Sequence, residues 1–224
     1  MSINAEDVIA EINELRTNPK GYGGKIEQYS TYFDDKSGKI LRVPGTNVGI
    51  KTSEGRDGYL EAANFLRDEA QPVEAFEESS GLTAIAQDFL DAVVKIDPSE
   101  IGEISMDDII NKHGEFNGNF SRAMEFGANS SEQVVINLVV SDGDKSRGQR
   151  DSLLNGNFSR AMEFGANTSE QVVINLVVSD GDKARGQRDS LLNGGLKRVG
   201  VATGKHNTYR TCTVIVSCTK FTDK

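Results

Sequence analysis

A stretch of 38 residues occurs twice in this chain of 224 residues. The first copy spans residues 117–154 and the second spans 155–192. They differ at two positions, Ser130/Thr168 and Ser146/Ala184. Near-identity at one offset indicates either a recent tandem duplication or an error in the sequence. The repeats of a solenoid usually diverge in sequence, and a solenoid needs about three or more units to bury a continuous core. Two copies inside a longer chain therefore predict one domain that has to accommodate an additional unit.

The size and composition of the chain also favour a single domain over residues 1–224. Without one copy the chain would have 186 residues, which is enough for one well-packed core. No change in composition marks a linker, and no apolar run approaches the roughly 20 residues that a membrane helix needs. The first seven residues lack the basic and apolar regions of a secretory signal. We therefore expect a cytoplasmic protein that does not act at a membrane.

The charge of the chain argues against a nucleic-acid-binding protein, and the spacing of its cysteines argues against a disulfide-bonded one. The net charge of −9 opposes binding to a nucleic-acid backbone, which requires a basic face. Cys212 and Cys218 lie six residues apart in a predicted strand, so their α-carbons would be about 20 Å apart. A disulfide requires less than about 7 Å. Two cysteines that cannot pair indicate a reducing compartment.

Apolar periodicity and capping residues predict helices followed by strands. The helices are predicted over 5–18, 20–31, 56–70, 81–95 and 106–112, and two strands over 196–202 and 209–221. Within each copy, a capping box such as Ser130-x-x-Gln133 favours a helix over Val134–Val140, although its β-branched residues also suit a strand. In this scheme His113 lies in a turn and His206 at the exposed tip of a hairpin.

The order of these segments resembles the CAP superfamily of cysteine-rich secretory, venom-antigen and pathogenesis-related proteins. The resemblance rests on Asn13–Pro19, Leu82–Phe89, His113–Gly118, Val134–Arg150, Leu196–Ala202 and Tyr209–Phe221. It implies an α+β fold, an α-β-α sandwich with a small central antiparallel sheet and a cleft. The duplication would add one further helix-loop unit to that sandwich.

The resemblance also implies a site that this chain has lost. Many family members hold two histidines and two acidic residues in the cleft, sometimes with a divalent metal. Phe89 stands where one histidine belongs. Gln149 stands where the other belongs, and Gln187 repeats the change in the second copy. A neutral amide is a poor zinc ligand and cannot act as a base. We therefore expect no catalytic residue, metal or cofactor, which would make the chain a pseudoenzyme.

Three residues leave chemical alternatives open. Glu125 and Glu163 lie roughly where the family supplies an acid, and His113 is a weak further candidate. The favoured function is a non-catalytic structural or protein-interaction module in a larger intracellular assembly, such as the cytoskeleton, with other proteins as partners. One alternative is a binder of a small apolar molecule in the cleft. The other is a metal-dependent hydrolase that uses Glu125 or Glu163 with His113.

Overall fold

The computed structural model describes residues 4–44, 49–96, 104–126, 160–164, 174, 177–178, 188, 191–206 and 210–224. In this part of the chain, helices and strands form an α+β fold. The helices are α1 (Ala5–Thr17), α2 (Pro19–Ser30), α3 (Arg56–Asp68), α4 (Ser80–Val93) and α5 (Met106–His113). Each of them begins and ends within two residues of its predicted range, so the helical prediction is confirmed.

Side-chain caps explain where these helices begin. The Asn4 side chain accepts a hydrogen bond from the backbone N–H of Asp7 at 2.8 Å, and Ser105 caps α5 in the same way. Asn18 has two roles, because it ends α1 and its side chain caps α2. Pro19 then occupies the first turn of α2, where its missing N–H is not needed.

The strands form two sheets. A small antiparallel pair joins β1 (Ile40–Leu41) to β2 (Ile50–Lys51). The main sheet has the strand order β3-β6-β7-β4-β5. Its strands are β3 (Glu77–Glu78), β4 (Gly114–Phe126), β5 (Arg160–Phe164), β6 (Arg198–His206) and β7 (Arg210–Asp223).

The main sheet is mixed, which corrects the prediction of an antiparallel sheet. The three central strands, β6, β7 and β4, are antiparallel as expected. Both outer pairs are parallel, β3 with β6 and β4 with β5. The parallel β4–β5 pair arises from the duplication, since it aligns each residue of Arg122–Phe126 with the identical residue 38 positions later. Copy two therefore contributes a strand as well as helical positions, whereas we expected only a helix-loop unit.

Two apolar cores lie on opposite sides of the main sheet. Residues of β7 alternate between them: Val214 and Val216 belong to the core with α4 and α5, whereas Ile215 belongs to the core with α1, α2 and α3. This alternation follows from the period of two in a strand. Cys212 and Cys218 are both buried in the α4–α5 core and lie in one strand, as predicted.

The two copies of the repeat contribute different parts of the fold. Copy one supplies β4, which is continuous with the non-repeated residues 114–116 and pairs along β7. Copy two supplies β5 and buried helical positions that lead towards β6. These positions are Ile174, Val177, Val178, Arg188 and Leu191. The helix favoured for the repeat is thus confirmed in copy two at Ile174, Val177 and Val178, whereas Val134–Val140 lies outside the described residues.

Candidate functional site

His113 is the last residue of α5, so its predicted place in a turn is wrong. Its Nε2 lies 3.1 Å from Oδ2 of Asp88 on α4, and Nζ of Lys112 lies 3.4 Å from the same oxygen. The hydrogen bond with His113 is the main cause that holds the pKa of Asp88 below its ordinary value. Both side chains are partly exposed, at 26% for His113 and 37% for Asp88. An aspartate that orients a histidine is one component of general-base chemistry.

Phe89 is fully buried in the middle of α4 and belongs to the α4–α5 core. The prediction that Phe89 is a core residue is confirmed. Its neighbour Asp88 lies on a more exposed face of the helix, where it meets α5. At position 89 this chain therefore places a phenyl ring in the α4–α5 core.

The two glutamates are far from His113. Glu125 lies near the end of β4, where it is in register with Thr213 and with Glu163. His113 directly precedes the first residue of the same strand. At about 3.3 Å per residue, the twelve residues from His113 to Glu125 span on the order of 40 Å. Glu125 and His113 therefore lie at opposite ends of β4, and the structure does not bring them together in one site. Gln149 and Gln187 lie outside the described residues.

His206 is buried, so its predicted exposed place at a hairpin tip is wrong. It is the last residue of β6, pairs with Arg210 and is 5% exposed. The strand extends further than predicted because backbone pairing with β7 continues through Gly204 and Lys205, although the composition of this segment is typical of a loop. Burial lowers the pKa of His206 below its ordinary value.

The burial of His206 predicts a loss of stability at mildly acidic pH. The unfolded chain binds a proton near the ordinary pKa of about 6.5, whereas the folded chain binds it less readily. The contribution of neutral His206 to the free energy of unfolding is therefore fully present above about pH 6.5, and it is lost as the pH falls below that value. His206→Gln should flatten this decrease, which urea unfolding of both proteins between about pH 7.5 and 5.5 would measure. Parallel pH profiles of the two proteins would contradict the prediction.

Arg16 is fully buried in α1, although it is not among the predicted site residues. Its guanidinium donates to the backbone carbonyl oxygens of Glu74, Leu191, Asn193 and Leu196 at 2.6–3.2 Å. The group also lies 3.8 Å from the centre of the Phe76 ring. Burial lowers the pKa of Arg16 to about 10. This pKa is still well above neutral pH, so the side chain stays charged. Arg16 therefore connects α1 to the end of copy two through buried hydrogen bonds.

Arg188 makes a second buried connection, between copy two and α3. Its side chain is 2% exposed, and its two terminal nitrogens bond to both carboxylate oxygens of Glu61. Its Nε donates to the carbonyl oxygen of Val177 at 2.5 Å, and the guanidinium lies 4.4 Å from the centre of the Phe65 ring. Such a bidentate pair fixes geometry as well as charge. Arg188 therefore has a structural role, because it connects copy two to α3.

A sequence signal for Arg16 existed. Val8, Ile12 and Arg16 follow one another at a spacing of four residues and so share the buried face of α1. Charged residues are rarely buried unless their hydrogen bonds are satisfied, so an arginine on such a face is usually assigned to the surface. Asn13 of the same helix makes a similar structural contact. Its side chain donates one hydrogen bond to the backbone of Phe76 and accepts another from it.

Comparisons with protein-family models, with curated proteins and with solved structures found no match to this chain. Within the part of the chain that the structure describes, no helix is long and apolar enough to cross a membrane. The same described residues contain no group of three or more histidine, cysteine, aspartate or glutamate side chains placed to hold a metal ion.

Proposed function

We propose that this chain is a CAP-like domain that acts as a non-catalytic structural or protein-interaction module. The observation that carries the proposal is the structural use of Arg16 and Arg188. Both arginines belong to segments that resemble family motifs, and both are buried and bonded to backbone carbonyls or to Glu61. Motif residues that hold the fold together are not available to a substrate.

The arrangement of the elements supports the CAP-like part of the proposal. Helices pack against both sides of a central sheet, with α1, α2 and α3 on one side and α4 and α5 on the other. This is the layer order of an α-β-α sandwich. The extra strand β5 departs from the expected central antiparallel sheet and belongs to the duplication.

The interaction surface that we propose is the edge of the sheet formed by β5. Among the described strands, β5 pairs with β4 alone and is the last in the strand order. An edge strand offers backbone N–H and C=O groups to a partner that adds a further strand. The proposed partner is another protein of an intracellular assembly, such as the cytoskeleton. The two buried, unbridged cysteines fit a reducing compartment.

Deletion of residues 155–192 tests this proposal. The shortened chain should keep its far-UV circular dichroism per residue and its cooperative unfolding, because copy one repeats each residue of copy two that the structure describes as buried. It should lose most of its partners in a quantitative affinity purification, because the additional strand is gone.

Deletion of residues 117–154 is a matched control for the first deletion. It leaves an equivalent chain that differs only by the residues Thr168 and Ala184. Both shortened chains should therefore behave alike. If they retain the partners of the full chain, the duplicated strand is not the interaction surface, and the proposal fails on that point.

A further inference from the structure

Positive charge is concentrated in one short segment of this acidic chain. Residues 36–53 contain four basic residues and no acidic one. The other 21 of the 25 basic residues and all 34 acidic residues lie elsewhere, so the rest of the chain has a net charge of −13. The segment includes β1 and β2. Its basic side chains are all exposed and form what we call the basic surface: Lys36, Lys39, Arg42 and Lys51.

The register of β1 and β2 places two of these charges on the outer face of the hairpin. Leu41 is buried, so residues 40 and 42 lie on the opposite, outer face of β1. Lys51 pairs directly with Ile40 and therefore shares that face. The guanidinium of Arg42 lies over Gly49, since a β-carbon there would be 3.3 Å from its Nη1. Arg42 and Lys51 are diagonal neighbours across the two strands, with α-carbons about 7–8 Å apart.

The charges of the basic surface are available to a ligand. Within the described part of the chain, none of the four side chains makes an ion pair, although Lys39 donates to the backbone oxygen of Ser53. The two acids that precede the segment have partners of their own. Asp34 accepts hydrogen bonds from the backbone of its own turn, and Asp35 lies 3.5 Å from Arg56. An anion that binds here therefore displaces no internal ion pair of the basic surface.

The composition of the segment favours an acidic protein segment over a nucleic acid or a membrane. Residues 36–53 contain no aromatic residue on which a base could stack. Four cations are also fewer than the roughly 6–10 phosphate contacts of a strong DNA-binding surface. A nucleic acid or a membrane extends well beyond this segment and would meet the acidic excess of the rest of the protein.

An extended acidic peptide matches the spacing of the charges. Side chains two residues apart in an extended chain lie on the same side, about 7 Å from each other. This distance is close to the separation of Arg42 and Lys51. One short peptide can therefore bring a carboxylate to each of these two residues at once.

We propose that the basic surface binds a short, extended, acidic segment of another protein, in which alternate carboxylates bind Arg42 and Lys51. Lys36 and Lys39 attract the acids that flank them. The binding is electrostatic and exposed, so it weakens as the salt concentration rises. The basic surface belongs to a different sheet from β5, and this inference does not depend on the proposed function. Deletion of residues 155–192 leaves the basic surface in place, so either proposal can fail alone.

Fluorescence anisotropy of a labelled oligoglutamate peptide of about ten residues tests the proposal with the full chain. The first variant removes three charges of the basic surface, by Lys36→Gln, Arg42→Gln and Lys51→Gln. The matched control removes three exposed lysines elsewhere, by Lys20→Gln, Lys95→Gln and Lys220→Gln. The parent chain and the control should bind the peptide alike, whereas the first variant should bind it about tenfold more weakly. Both variants should keep the urea-unfolding midpoint of the parent chain, because the replaced side chains are exposed.

Four outcomes would overturn the proposal. Equal weakening in both triple variants would mean that only the net charge matters. An oligothymidylate of the same length that binds as tightly as oligoglutamate would assign the surface to a nucleic acid, and phosphatidylserine vesicles bound by the parent chain but not by the first variant would assign it to a membrane. Salt-sensitive dimers of the parent chain that the first variant lacks would assign it to a second copy. Arg42→Gln alone, expected to weaken peptide binding about threefold, gives the same test with a smaller change.

Discussion

Arg16→Ala is expected to lower the free energy of unfolding by about 3–5 kcal/mol. The substitution removes the donors for four backbone carbonyl oxygens, and those of Leu191 and Leu196 accept from Arg16 within the buried interior. A buried acceptor that loses its donor carries the whole cost of its desolvation. The Phe76 ring also loses the guanidinium that covers it at 3.8 Å. Urea unfolding followed by far-UV circular dichroism would measure the loss.

Arg67→Ala is the control for Arg16→Ala. Arg67 also lies near the end of a helix and bonds to Glu27 and Asn64, but at the protein surface. Exposed ion pairs contribute at most about 1 kcal/mol, so this variant should lose little. Arg16→Lys should lie between the two, because one ammonium cannot reach all the carbonyls that the planar guanidinium reaches. Equal losses for Arg16→Ala and Arg67→Ala would show that the buried network contributes nothing.

The helices were predictable from the sequence because their signals are local. Asn4 and Ser105 are capping residues whose side chains bond three positions further along the chain, and apolar stripes mark the buried faces. The same stripe predicts that Phe89 is buried in α4. These features depend on neighbours within one or two turns, which a single sequence displays directly.

Features that depend on backbone pairing were not predictable. The segment from Gly204 to His206 has the composition of a loop, yet it continues β6 to the end of the pairing with β7. The contact between His113 and Asp88 likewise depends on how α5 packs on α4. The spacing of Arg16 with Val8 and Ile12 is visible in the sequence, but its carbonyl acceptors lie 58 or more residues away and are brought together only by the fold.

The sequence also left open which copy of the repeat occupies the core, because identical residues have identical local preferences. Continuity with non-repeated residues accounts for the observed division. Copy one holds the strand since Gly114 and Phe116, just before it, pair with Asp223 and Phe221 of β7. Copy two supplies the buried helical positions because only four residues separate its Leu191 from Leu196, which lies outside the repeat. Tertiary connections of this kind have no signature in a local pattern.

Gly200→Ala is expected to destabilise the protein by about 3 kcal/mol or more. A β-carbon at position 200 of β6 would lie 2.1 Å from the carbonyl carbon of Leu82 and 2.2 Å from the backbone nitrogen of Thr83. Both atoms belong to the backbone of α4, so no side-chain rotation can relieve the clash. The helix would have to move away from the sheet and would loosen the core around Leu82. Thermal and urea unfolding would both record the loss.

Gly24→Ala provides the opposite expectation with the same chemical change. A β-carbon at Gly24 would meet no atom within 4 Å, and the residue lies inside α2. Alanine is favoured over glycine in a helix by about 0.5–1 kcal/mol, so this variant should be slightly stabilised. The two variants should therefore move the unfolding midpoint in opposite directions. A Gly200→Ala variant as stable as the parent chain would mean that α4 does not approach β6 as closely as the backbone distances require.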